Sequence, residues 1–334
     1  MAQLTIKDIA KKLGISPSTV SRALRDHPDI SPATKEKVAA FAARHNYQPN
    51  LLAKSLQNQR TNTIGVIVPE IRHYFFSAVV SGIEDVAYSN GYGIMVCQSN
   101  DTLEREVVNT QILASHRVAG MIVSVSQETD IFDHLKAVIG QGISLVFFDR
   151  VVDGVGASTV VVDDEEGAYT AVSHLIEQGY QRIAHLAGVQ AISVSRDRLR
   201  GYCRALEDHG REVDPELIVY GRFHETDGQK GAEKLFSLME PPDAIFAIND
   251  PVAVGVYLYC RDTGRTIPGD VALVGFSNNP VTSMMHPPIT TVDQPAFAMG
   301  KAAMNLLFDQ IHQDGQAQAV TKVLKTRLVI REST

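Results

Sequence analysis

Cysteine is scarce in this sequence, at three in 334 residues. Cys97, Cys203 and Cys260 are odd in number, far apart and without a CxxC pair, so neither a disulfide framework nor a cysteine zinc site is indicated. Ordinary buried thiols are the plain reading. Long apolar runs are missing too, since none approaches the ~20 residues of a membrane-spanning helix. Near Met1 the first apolar positions are interrupted by Lys7, Lys11 and Lys12, unlike a signal peptide. A cytoplasmic chain with no membrane partner is expected. No GxGxxG follows the first apolar run, and there is no Walker sequence, HExxH or GxSxG, so no enzyme activity, no cofactor and no metal site are predicted. The acidic run Asp163-Asp164-Glu165-Glu166 could serve metal or acid/base chemistry, but it suits the N-terminus of the helix that follows it.

What is present is 44 % apolar residues, enough for one or two sizeable cores, and 21 % charged residues. The overall charge of −7 hides an asymmetry. The first 60 residues hold ten Lys/Arg against four acids, a net +6, which leaves −13 for the rest. A basic head on an acidic body suits a chain whose head meets a polyanion and whose body avoids it.

Three short helices are legible in the head from their ends. Thr5 with Asp8 resembles a capping box, opening a helix that buries Ile9, Ala10 and Leu13 and stops at Gly14. Ser16 caps a second helix with Pro17 at its first position; Val20 and Leu24 face inward, and Ser18, Thr19, Ser21 and Arg22 outward. Ser31-Pro32 opens a third, which buries Val38, Phe41 and Ala42. Only Gly14 and Ile15 separate the first two helices, the tight link of a helix-turn-helix. The second helix would then read a major groove, with Arg22 donating to a guanine edge, Ser18 serving either base, and Thr19 and Ser21 suiting phosphate oxygens. After Tyr47-Gln48-Pro49 come about two helical turns, Asn50 to Leu56, too short to stand alone in water. A second copy laid in a minor groove, with a leucine wedged between base steps, would support them; a merely apolar tether is the alternative.

From Thr63 onward, short apolar runs alternate with segments of helical spacing, the pattern of parallel sheets wrapped by helices. Candidate strands are 64–68, 93–98, 120–125, 144–149, 159–163, 182–188, 217–221, 244–249 and 271–276, with a further strand region from Val323 to Ile330. So many elements favour two doubly wound subdomains over one. In open α/β sheets the ligand cleft lies beyond the carboxyl ends of the strands. That rule selects Tyr74, Phe75, Phe76, Asp149, Arg198, Phe223, Asn249 and Ser277, aromatic faces and hydrogen-bonding tips of the kind a polyhydroxylated ring needs. Plainer roles compete. Phe76 falls on an inward helix face, Phe75 suits either role, and Asp149 could pair with Arg150 or accept from hydroxyls. Arg198 opposes a helix dipole, so Asp197 or a ligand is expected beside it. Asp250 reads as the cap of the helix beginning at Pro251.

The runs LTIKDIAKKLGISPSTVSRAL, YQPNLLAKSL and TNTIGVIVP resemble the start of lactose-repressor-family regulators, and HYFFS, FFDR, RDRLRGY, AINDPVAVG, DVALVGFSNNP and PPITTVDQP continue the likeness over essentially the whole chain. The resemblance implies an all-α helix-turn-helix head (1–48), a hinge helix and linker (49–61), and a periplasmic-binding-protein-like body (62–334). Its subdomains would span about 62–160 with 292–321, and 161–291 with 322–331. It puts the base readers at Pro17, Ser18 and Arg22, the wedge at Leu56, and effector contacts at Phe75, Phe76, Asp149, Arg198, Phe223, Asn249 and Ser277. With Thr5, Ser16, Thr19, Ser21, Tyr47, Asn50, Ala53 and Lys54 added, these form the candidate DNA-contacting set. Pro17 departs from the large polar or aromatic residue of many members. Ser277 replaces a common aspartate, a change that would tolerate an anionic sugar acid or sugar phosphate with Arg198 as counter-charge. The expected function is a transcription regulator, a homodimer because one head contacts too few bases: a repressor on double-stranded DNA at a pseudo-palindromic operator, controlled by a sugar-type effector. A solute-binding protein on the same body is the rival.

Overall fold

The computed structural model describes residues 4–24, 26–45, 47, 61–152, 154–313 and 318–334. The expected hinge segment, with Asn50, Ala53, Lys54 and Leu56, lies outside these residues. Two compact units divide the chain, Met1–Thr61 and Asn62–Thr334.

The first unit holds α1 (Ile6–Leu13), α2 (Pro17–Leu24) and α3 (Pro32–Arg44). Thr5 and Asp8 form the capping box, Gly14 takes a left-handed φ of 67° to end α1, and the Thr19 amide donates to Ser16 Oγ at 3.1 Å. Ile9, Ala10, Val20, Ala23 and Val38 make the core. Here the structure corrects the sequence reading at three positions expected inside, one on each helix. Ala23, one turn on from Val20, is buried, while Leu24, Leu13 and Phe41 pack half-buried around the rim.

The second unit contains two six-stranded sheets. The first, in order β11-β5-β4-β3-β1-β2, uses β1 (Thr63–Val68), β2 (Gly93–Gln98), β3 (Gly120–Val123), β4 (Ser144–Phe148), β5 (Ser158–Val162) and β11 (Thr321–Leu324). Apolar side chains cover both of its faces, against α4 (Tyr74–Ser89) and α12 (Ala296–His312) on one and α5 (Leu103–Ser115) and α6 (Asp133–Gly140) on the other. The second, β12-β10-β9-β8-β6-β7, uses β6 (Ile183–Ala187), β7 (Ile218–Tyr220), β8 (Ala244–Ala247), β9 (Ala272–Phe276), β10 (Thr290–Asp293) and β12 (Arg327–Val329). Its faces are covered by α7 (Asp164–Glu177) with α8 (Ser193–Asp208), and by α9 (Glu225–Phe236) with α10 (Asp250–Thr263); the short α11 (Pro280–Met284) follows β9. Burial on both faces explains why these strands read as continuous Val/Ile/Leu runs. Pairing is parallel except between β10 and the edge strand β12.

The chain passes between the sheets three times, after β5, after β10 and after β11. The last crossing corrects the expected boundary at 322, because Lys322 to Leu324 pair with β5 in the first sheet. TKVLKTRLVI contains no Gly or Pro to mark the break. It is set instead by Asp163, whose carboxylate accepts from the Thr326 amide at 2.7 Å. Within the first subdomain α4 and α12 touch at Gly82 and Gly300, where an added Cβ would stand 2.1 Å from the Phe297 carbonyl oxygen and 2.0 Å from that of Val79.

Candidate functional site

On the head, Ser16, Pro17, Ser18 and Arg22 are exposed on one side of α2, with Thr19 and Ser21 half-buried. Ser16 Oγ lies 2.7 Å from Ser18 Oγ and 2.8 Å from Thr19 Oγ1, so three hydroxyls form one linked cluster at the start of the helix. The Thr5 hydroxyl is engaged by Asp8 Oδ2 at 2.6 Å, and that bond holds the Asp8 carboxyl below its usual range. Tyr47 packs half-buried against the head core. Among the described residues no ion pair engages the exposed Arg22 side chain, whose guanidinium can donate to planar acceptors.

In the body, all eight residues selected at strand ends line one cleft between the two sheets, joined by His73, Asp101, Arg150, Val194, Pro251, Asn279 and Gln294. The lining comes from the loops and first helical turns that follow the carboxyl ends of strands in both subdomains, where the open-sheet rule places a cleft. Non-glycine residues with left-handed backbone concentrate there: Asn100 and Asp101 after β2, Asp149 after β4, and Ser277 and Asn278 after β9, with φ of 51°, 58°, 62°, 116° and 51°. Such strain persists where surrounding bonds over-determine it, commonly at functional sites. The Ser277 amide donates to the Val292 carbonyl at 2.7 Å and Asp149 to that of Val160 at 3.0 Å.

Two buried arginines organise the interior. Arg150 donates to the Asp101 carboxylate and to the Val125 carbonyl, and its guanidinium carbon lies 5.8 Å from the Phe76 ring centre and 5.2 Å from that of Phe223. It therefore joins aromatic faces of both subdomains. Arg198 corrects the expectation drawn from its neighbours: Asp197 pairs with Arg200, whereas Arg198 sends Nε (2.8 Å) and Nη2 (2.7 Å) to Asp164 and Nη1 to the Ile248 carbonyl at 2.6 Å. It also lies over the Phe276 ring at 3.7 Å. Burial pushes the Asp164 carboxyl up to about 7 against the opposing pull of Arg198, and raises that of Asp149 as well. Asp149 approaches Arg150 at 3.9 Å.

Asn249 caps α10, accepting from the Val252 amide at 2.9 Å and donating to the Phe223 carbonyl at 3.1 Å. Asp250, read as the cap, instead sits fully buried and accepts from the Asn279 amide and the Thr291 hydroxyl, each at 2.6 Å; burial lifts its carboxyl to about 6. Ser277 Oγ donates to Gln294 Oε1 at 2.8 Å, and the Gln294 amide nitrogen is buried in the lining without a partner among the described residues. An unpaired buried donor is costly unless a ligand or water accepts from it. Tyr74 is half exposed at the rim and Phe76 is 6 % exposed, so the inward reading of Phe76 and its place in the cleft both hold. The free space left at the centre is about 60 Å³, room for a few waters. Of the residues the sequence did not single out, Asp101 follows β2 and was within reach of the strand-end rule. Gln294 follows β10, a strand with one apolar residue and two prolines ahead of it.

A model of bacterial regulatory proteins of the lacI family matches residues 5–50, and a periplasmic binding protein-like domain matches residues 172–334. Catabolite control protein A of Priestia megaterium is 30 % identical over 99 % of either chain. Among solved structures, the lac repressor dimer bound to operator and the anti-inducer ONPF superposes with a TM-score of 0.87 at 27 % identity, covering 100 % of this chain and 99 % of that one. The complex of the transcriptional regulator CelR with cellobiose does so with a TM-score of 0.76 at 29 % identity, over 99 % and 100 %. Among the described residues no helix is long and apolar enough to cross a membrane. A head built as a helix-turn-helix, a body built as a two-sheet cleft, and likeness to such regulators along the full length lead to one statement: the chain belongs to the lacI family of bacterial regulatory proteins, DNA-binding regulators of transcription.

Proposed function

We propose that the protein is a repressor that binds a pseudo-palindromic operator as a homodimer and is released or secured by a neutral sugar held in the cleft. The observations that carry this reading are the convergence on one cleft of eight side chains that follow strands of both sheets, and, in the head, a reading helix that keeps Ser18 and Arg22 exposed. Two copies of α2 would lie in successive major grooves ~34 Å apart. Arg22 donates to a guanine edge, Ser18 and Pro17 touch bases, and Thr5, Ser16, Thr19, Ser21, Tyr47 and the segment with Asn50, Ala53 and Lys54 address the backbone. Leu56 is the minor-groove wedge.

In the cleft, Phe75 and Phe223 offer apolar faces, while Asp149, Asn249, Ser277 and the unpartnered Gln294 amide meet hydroxyls. The commitment of Arg198 to Asp164 and of Arg150 to Asp101 removes the free counter-charge that a sugar acid or phosphate requires, so a neutral ligand is favoured. The lac repressor dimer on its operator and the CelR–cellobiose complex support both halves of the reading by analogy. The test is selection of duplexes from a random pool by the full-length protein, alone and with neutral sugars or sugar acids. An inverted repeat whose recovery changes with a neutral sugar is the expected result. Recovery of no sequence in any condition returns the protein to simple solute binding, and a response to sugar acids alone refutes the neutral ligand.

A further inference from the structure

The loop carrying Glu70 and His73 leaves β1 in the first subdomain, and His224 stands just ahead of α9 in the second. The fold brings the three together beside the cleft, where His73 is part of the lining and Phe223, next to His224, is another part. Glu70 Oε2 lies 3.1 Å from His73 Nε2, and the His73 and His224 rings stack with centres 5.9 Å apart and planes 23° from parallel. One ligand atom from each residue lies within 4.8 Å of the other two. The Glu70 and His73 side chains are only 16 % and 17 % exposed, so the cluster is partly withdrawn from water.

We infer that Glu70, His73 and His224 form a binding site for a divalent transition cation of the zinc class, spanning the two subdomains at the edge of the cleft. Two imidazoles and one carboxylate are a borderline-soft donor set. They suit zinc, nickel or copper and do not suit magnesium or calcium, which take oxygen ligands. A four-coordinate ion with bonds of ~2 Å sets its donors roughly 3.3 Å apart. Glu70 and His73 already stand at that spacing at 3.1 Å, and His224 completes the set from within 4.8 Å.

A resident cation marks the place. Arg72 holds Glu70 Oε2 through Nε at 2.5 Å and has Nη2 3.5 Å from His224 Nδ1. Its side chain is 68 % exposed. Exposed ion pairs of this kind are weak, so the guanidinium yields readily to an ion that makes three bonds at once. Sequence spacing gave no hint of this site because His224 joins Glu70 and His73 only through the packing of one subdomain against the other. The consequence is a clasp: the ion draws together loops of opposite subdomains, and by linkage any ligand that closes the cleft raises the affinity for the ion.

The experiment is a competition titration of chelator-treated, full-length protein with zinc ions against a coloured indicator, repeated for His73→Ala, His224→Ala and Arg72→Ala. Circular dichroism and melting of each variant establish that it is folded. The expected result is one tight equivalent per chain, weakened roughly tenfold or more in both histidine variants. Arg72→Ala should bind at least as tightly as the wild type, because the competing cation is gone. Absence of a saturable equivalent in the wild type overturns the inference. So does retention of the equivalent in either folded histidine variant, which would put the ion outside the bridge, and so does equal competition by magnesium ions.

Discussion

His185 sits inside the second sheet, fully buried, with Nδ1 against the Phe246 carbonyl at 2.9 Å and its ring stacked between Tyr202 and Phe246. Burial lowers its pKa to about 4, while an unfolded chain takes the same proton near 6.5. The stability this neutral ring supplies is complete above about pH 6.5 and is lost as pH falls toward 4, by about 3 kcal/mol in total. Asp164 and Asp250, raised to about 7 and 6, act in the opposite sense and favour the fold as pH falls through that range. Comparing His185→Gln with the wild type isolates the histidine. In urea titrations at pH 7 and 4.5 the variant should lose markedly less stability between the two; equal losses would refute the assignment. Arg198, Asp250 and Gln294 show why residue roles were only partly legible. Strand ends could be located from apolar runs, so all eight selected positions reached the cleft. Which of them a buried neighbour had already claimed depended on contacts across 34 residues for Arg198 and 41 for Asp250.

Elements that announce their ends were the most legible. The head helices carry Thr5, Ser16 and Ser31 at their starts, and each makes its capping bond. The body strands, buried on both faces, stand out as runs of branched apolar residues. β10 was missed because TTVD offers a single apolar side chain, and β11 and β12 merged because their break is marked by Asp163, 163 residues away in sequence at the end of β5. Helix contacts leave no such trace. The α4–α12 crossing depends on two glycines, and Gly300→Ala would force a Cβ to within 2.0 Å of the Val79 carbonyl oxygen. Spreading these helices should cost the body about 1–3 kcal/mol in chemical denaturation, the ordinary range for overpacking. Alanine at Gly93, where an added Cβ meets nothing within 4 Å, should cost far less. Similar losses at the two sites would show that the crossing tolerates expansion.

The whole chain pairs a head of net +6 with a body of −13. That polarity orients the head toward DNA while the body stays clear of it, and it makes operator binding steeply salt-dependent. Leu56→Ala should weaken operator binding in a titration at fixed salt and leave sugar binding unchanged; undiminished operator affinity would end the wedge proposal. The three crossings between the sheets have a different consequence, for the order in which the molecule is made. The head core closes within the first 47 residues, so it can form while synthesis continues. The first sheet lacks the covering face supplied by Met299, Ala303 and Leu307 until α12 has emerged, and the second lacks its edge strand until Arg327–Val329 follows. Neither half of the body is a fragment that ribosomal synthesis can finish early, so the head core is complete some 280 residues (Tyr47 to Arg327) before the last strand of the second sheet.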